Sequence, residues 1–183
     1  MVLDTESDEL SKEQKKAILD ERAAFLAQAP VAASKRENQL DILEVIISGE
    51  HFAFEARYVR EASKLGTLTP LPNTPEFIVG LMNFRGQILP LLDLRKFLEL
   101  TPKESSNTEK MVVVVQSDES QAGITVDEIV GINSITEASL QSPKQLVSGT
   151  LAPLLRGVKE NMLAVLDVNA LFNDPRIIVE SHP

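Results

Sequence analysis

Residues 40–62 and 110–132 can be laid over one another with a shift of about 70 positions, and this internal repeat restricts the fold more than any other feature. Each copy opens on an apolar run, crosses a polar turn and returns in a second apolar run. Phe52-Ala53-Phe54-Glu55-Ala56 answers Ala122-Gly123-Ile124-Thr125-Val126. Further on, Ile88-Leu89-Pro90-Leu91-Leu92-Asp93-Leu94 matches Met162-Leu163-Ala164-Val165-Leu166-Asp167-Val168, each preceded by an Arg-Gly pair (Arg85-Gly86, Arg156-Gly157). Short apolar runs bounded by turn residues predict strands at 40–47, 52–54, 88–92, 111–115, 122–126 and 162–166. Short helical segments are expected at 95–100 and 169–173, with Asp93 and Asp167 placed to accept their unpaired N–H groups. Two copies are too few for a solenoid, so the pattern predicts two similar all-β units side by side. A unit of roughly 70 residues is marginal alone, so the two should share core where they meet.

Residues 1–37 have a different texture, charged and rich in Ala, Lys and Glu, and read as a separate arm. Ser11 and Gln14 fit a capping box, the residues from 12 to about 28 are fair helix formers, and Pro30 stops the pattern. Ile18, Phe25 and Leu26 give this helix a narrow apolar stripe, fitting either a loosely packed arm or a partner-seeking helix.

Most chemistry is removed by composition. The chain has no Cys and two His (His51 and His182), which excludes thiolate catalysis and leaves no ordinary zinc ligand set. The 27 acidic residues outnumber 18 basic ones, a net charge of -9 that repels nucleic acid and anionic membranes. No stretch is long and apolar enough to span a bilayer, and the N-terminus lacks the pattern of a secretory signal, so a soluble cytoplasmic protein is expected. Residues 80–86 carry two glycines with five residues between them, but Gln87 stands where a phosphate loop needs Lys. Asp93 and Asp167 fit capping better than paired acid–base work, and His51 reads as a solvated turn residue. The residues predict a β protein without catalysis, metal or cofactor.

One segment remains unusual. Pro72, Pro75, Phe77, Ile78, Gly80, Asn83, Arg85, Gly86, Ile88, Pro90, Asp93 and Leu94 fall in a spacing that resembles the signature of the CheW-like family, the scaffold proteins of bacterial chemosensory arrays. Val59-Arg60-Glu61 upstream resembles the family's V-x-E element, and Gly123-Ile124-Thr125-Val126-Asp127 downstream its G-I-x-V-D segment. The likeness implies a domain over about 38–179, followed by a tail at 180–183, built as two intertwined SH3-like five-stranded β-barrels related by the repeat. It further implies a non-catalytic adaptor, without cofactor, that couples the cytoplasmic tip of methyl-accepting receptors to the regulatory domain of a CheA-type histidine kinase. Such an adaptor reaches the membrane only through its protein partners.

A helical hairpin tip asks for a groove with apolar walls and a few directional polar anchors. By position in the motif, the resemblance puts Val59, Glu61, Gly80, Asn83 and Arg85 on that groove, and Lys110, Met111 and Ile129 opposite them. Gly80 would allow close backbone approach, and Arg85 would be the charged anchor. Residues 140–148 occupy a region that such proteins turn toward the kinase. Phe84 and Ala62 depart from the usual family residues and alter the groove's volume. A different class of reading is a sensor module that binds a small molecule in the crevice between the barrels.

Overall fold

The computed structural model describes residues 38–101, 110–147 and 149–177, so the expected helical arm at 1–37 and the tail at 180–183 lie outside the described residues. Eleven strands occur among the described residues: β1 (Gln39–Ile47), β2 (Glu50–Glu55), β3 (Val59–Lys64), β4 (Leu68–Thr69), β5 (Ile78–Phe84), β6 (Gln87–Asp93), β7 (Met111–Gln116), β8 (Gln121–Val126), β9 (Glu128–Thr136), β10 (Leu155–Val158) and β11 (Ala164–Leu166). Three short α-helices accompany them: α1 (Leu94–Phe97), α2 (Pro143–Leu146) and α3 (Val168–Phe172).

The strands form two sheets, in the orders β10-β11-β2-β1-β9 and β3-β7-β8-β6-β5-β4. Exchanging each strand for its repeat equivalent (β1 with β7, β2 with β8, β3 with β9, β5 with β10, β6 with β11) turns one order into the other, with the two-residue β4 as an extra edge. The registers agree as well. Leu91 and Leu92 pair in parallel with Gly123 and Ile124, while Val165 and Leu166 pair in parallel with Ala53 and Phe54. Each sheet therefore contains strands from both halves of the chain. The repeat units form two SH3-like barrels with swapped hairpins, intertwined as the resemblance implies, because β1–β2 is completed by β11 and β7–β8 by β6.

Swapping explains why β7 carries no polar face over Val112–Val115. On β7, Val112 and Val114 fill the inside of one barrel, while Val113 and Val115 point into a core shared by both. On β1 and β2, Ile42 and Ala53 line the other barrel, and Leu43, Val45, Phe52 and Phe54 join the shared core. A strand buried on both sides reads as a continuous apolar run. The shared core is the largest of the three clusters, and Leu166, Ile124, Leu94 and Leu171 complete its centre.

Both predicted caps form. Asp93 accepts the backbone N–H of Arg95 (3.0 Å), and Asp167 accepts those of Asn169 (2.9 Å) and Ala170 (3.0 Å). The Arg-Gly pairs, in contrast, are not equivalent. A β-bulge shifts the register between Ile78 and Gly80 on β5 and between Leu155 and Gly157 on β10, so Gly157 corresponds to Gly80 and not to Gly86. Arg156 is the residue that its bulge inserts, and it reaches Glu55 and Glu137. His51 is also corrected: it lies in β2, and its Nδ1 is 2.7 Å from Glu44 Oε1.

Two aspartates predict an acid-sensitive fold. Burial pulls the Asp93 carboxyl upward, but the hydrogen bonds and charge of Arg95 outweigh it, and the group sits below the usual carboxylate value. At Asp174 the hydrogen bond from Arg176 leads and the result is again a lowered value. Arg176 also donates to the Phe97 carbonyl (3.1 Å) and lies 4.0 Å from the centre of its ring, fastening the chain end to α1. A carboxyl group whose folded value is depressed stabilises the fold above its unfolded value of about 3.9, and that contribution is lost as pH falls through the folded value. Urea midpoints should therefore drop below about pH 4, and Asp174→Asn should flatten that decline. An unchanged slope in the variant would remove Asp174 from this account.

Candidate partner-binding site

The hairpin between β5 and β6 closes through Arg85 and Gly86, with φ of 51° and 84°. Two consecutive left-handed residues are what a tight type I′ turn requires, and a non-glycine residue in the first of them stores strain. Local bonds hold it there. Gly86 donates its N–H to Asn83 Oδ1 at 2.9 Å. Arg85 donates from Nε (3.1 Å) and Nη2 (2.7 Å) to Glu61 Oε2 on β3. Its guanidinium also lies 5.4 Å from the centre of the Phe84 ring. Glu61, Asn83 and Arg85 thus meet at one corner, where the ion pair joins the edge strand β3 to the β5–β6 turn of the same sheet.

Glu61 gets there through a bulge. Val59 pairs with Val115 but Glu61 pairs with Val114, so Arg60 is the residue inserted between them. Antiparallel partners share a face. Val59 accordingly follows Val115 toward the shared core, while Glu61 pairs with Val114 and stays one-third exposed at the edge of the sheet. Val59 and Glu61 therefore lie on either side of a register shift in β3, and both are half-buried. The V-x-E spacing predicts one face, and an inserted residue reverses the second side chain.

The remaining candidates are dispersed. Val59, Met111 and Ile129 are half-buried against the shared core, and Val59 and Ile129 are repeat equivalents. Met111 stands three residues before Val114, roughly 10 Å along the strand from the position opposite Glu61. Lys110 is exposed, and its carbonyl accepts the N–H of Leu65 at 3.0 Å. Gly80 is buried, and a Cβ built on it would come 2.4 Å from the Thr69 carbonyl oxygen. The close approach that Gly80 permits is to β4 of its own chain.

Three clefts open on the described surface, one of them at Arg85. A polar one of about 380 Å³ is lined by Arg60, Phe84, Arg85, Gln87, Gln116 and Gln121. Two larger, mainly apolar ones are repeat equivalents of each other. The first, about 530 Å³, includes His51, Phe52, Leu146, Val147, Met162 and Ala164. The second, about 560 Å³, includes Ile78, Pro90, Leu92, Gln121, Ala122 and Phe172. Arg60, Gln116 and Gln121 were not singled out by sequence reasoning, since an isolated Arg or Gln gives no signal until strand register groups it with others. No cluster of His, Asp and Glu suited to a metal ion occurs among the described residues, and no described helix is long and apolar enough to cross a membrane.

Comparison with known proteins places this geometry. Residues 41–176 match the family model of the CheW-like domain. The chemotaxis protein CheW of Treponema pallidum is 25% identical over 156 residues, covering 82% of this chain and 91% of that one. The chemotaxis protein CheW of Klebsiella aerogenes is 28% identical, covering 73% and 81%. The protein FrzA of Myxococcus xanthus is 36% identical over 85 residues, about half of each chain. The crystal structure of the scaffolding protein TtCheW from Thermoanaerobacter tengcongensis superimposes with a TM-score of 0.66 at 26% identity, over 75% of this chain and 90% of that one. The two swapped barrels and the residues that join them are those of a CheW-like domain, and the chain belongs to the CheW-like family.

Proposed function

We infer that this protein is a non-catalytic chemotaxis adaptor that works in the cytoplasm, coupling methyl-accepting receptors to a CheA-type histidine kinase. The observation that carries the reading is the family match across residues 41–176, which takes in both swapped barrels. The relatives bear chemotaxis and scaffolding names, and nothing in them supports the alternative of a small-molecule sensor. A rigid body with two related apolar clefts suits a protein that holds neighbours by surface complementarity. In this reading the corner of Glu61, Asn83 and Arg85 faces the receptor hairpin, with Val59, Met111 and Ile129 supplying apolar support and Lys110 a peripheral charge. Gly80 acts indirectly by holding β5 against β4. The kinase regulatory domain takes the cleft to which Leu146 and Val147 contribute.

The test is reconstitution of kinase activity with receptor fragments, kinase and the full chain. Activation should depend on the adaptor, and failure to bind any CheA or receptor encoded beside its gene would refute the reading. Arg85→Asn separates site from fold. Asn tolerates a positive φ, and an ion pair whose Arg side chain is 75% exposed adds little stability. We expect a melting temperature close to wild type and a loss of receptor-dependent activation of about tenfold, about 1.4 kcal/mol of coupling. An unfolded variant would make Arg85 structural.

A further inference from the structure

The geometry points to Arg60 as the group that receives a carboxylate from the receptor helix, in a polar cleft whose lining carries two Arg and three Gln but no acid. This rests on the coupling reading above and names the partner chemistry of the same corner. Arg85 is the charged residue that the family pattern emphasises, yet its Nε and Nη2 are already taken by Glu61. Arg60 is differently placed. The bulge on β3 inserts it as an exposed residue, and its Nε donates to Gln116 Oε1 at 2.7 Å. That bond fixes the plane of the guanidinium and leaves both terminal nitrogens as donors, the fork that matches a carboxylate.

The lining agrees with an anionic side chain. Arg60, Arg85, Gln87, Gln116 and Gln121 surround the cleft with Phe84, and none of the six is acidic. Glu61, beside the cleft, is balanced by Arg85 at 2.7 Å, and Asp118 and Glu119 lie in the turn between β7 and β8, outside this lining. A volume of about 380 Å³ admits one or two side chains, which suits a residue projecting from a helix better than a flat interface. The chain as a whole is acidic, with a net charge of -9, so an acidic partner is repelled at long range and needs local compensation of this kind.

The experiment measures binding of the full chain to a soluble cytoplasmic fragment of a methyl-accepting receptor, and separately to the kinase regulatory domain, for wild type, Arg60→Lys, Arg60→Gln and Arg60→Glu. Receptor affinity should fall about tenfold in Arg60→Gln and further in Arg60→Glu, with Arg60→Lys between wild type and Arg60→Gln. The gap between wild type and Arg60→Gln should narrow as salt rises toward 0.5 M, where charges are screened within about 5 Å. Kinase-domain binding should stay unchanged in every variant, which also shows that each is folded. Equal receptor affinity in all four proteins overturns the inference while leaving the coupling reading standing. A loss confined to the kinase domain overturns the assignment to the receptor. A wild-type chain that binds neither partner refutes the coupling reading, and this inference with it.

Discussion

Phe54→Ala should cost about 3–5 kcal/mol and weaken both barrels together. Phe54 is fully buried in the shared core. It is paired with Leu43 on one side and, in parallel, with Leu166 on the other. Its ring therefore touches material from both halves of the chain, and the cavity left by Ala opens in the region that both barrels use. Were the halves independent, the variant would melt in two steps and the sheet lacking Phe54 would keep its wild-type protection. Hairpin swapping predicts the opposite: one urea transition, with hydrogen exchange accelerated by a similar factor on β7 and β8 as on β1 and β2. Wild-type protection on β7 and β8 in this variant would show that the barrels are separable. Ile124→Ala, at the repeat-equivalent position, should behave the same way from the other side, though with a smaller loss of about 2–5 kcal/mol.

That symmetry was only partly legible in the sequence. The duplicated apolar runs and the capping aspartates could be read directly, because a buried strand and a helix N-cap leave local signatures. Which run completes which barrel could not, since pairing β6 with β8 and β11 with β2 is a long-range choice that no local residue announces. The Arg-Gly coincidence shows the limit of reading by likeness. Arg85-Gly86 forms a tight turn, whereas Arg156-Gly157 spans a bulge, and only the register separates them. The site shows the same limit. Glu61, Asn83 and Arg85 were found through their spacing in a motif, but the reversal of Glu61 relative to Val59, and the role this gives Arg60, follow from a single inserted residue on β3. Bulges leave almost no trace in sequence, because their signal is a shift in the neighbour's register.

Gly80→Ala tests where a motif glycine spends its conformational freedom. If Gly80 existed to admit a partner's backbone, a methyl group there would leave folding intact and abolish binding. The geometry demands the reverse. At a φ of 151° an alanine is strained in isolation, and its Cβ would lie 2.4 Å from the Thr69 carbonyl oxygen and 3.0 Å from the carbonyl carbon. Both atoms are backbone, so relief requires β4 to move away from β5. Strain of this kind is worth about 1–3 kcal/mol for the dihedral alone, and the displaced strand adds to it, giving an expected loss of about 2–4 kcal/mol. Gly86→Ala supplies the control. Its φ is also positive, at 84°, but nothing lies within 4 Å of the added carbon, so only the left-handed penalty of about 1–2 kcal/mol applies. Urea denaturation of the two variants should therefore rank Gly80→Ala below Gly86→Ala, with amide exchange at β4 and the facing part of β5 accelerated in the first alone. Partner binding by Gly80→Ala should track the fraction folded, because the methyl group points at the chain's own β4. A Gly80→Ala protein as stable as wild type that no longer binds would return this glycine to the interface.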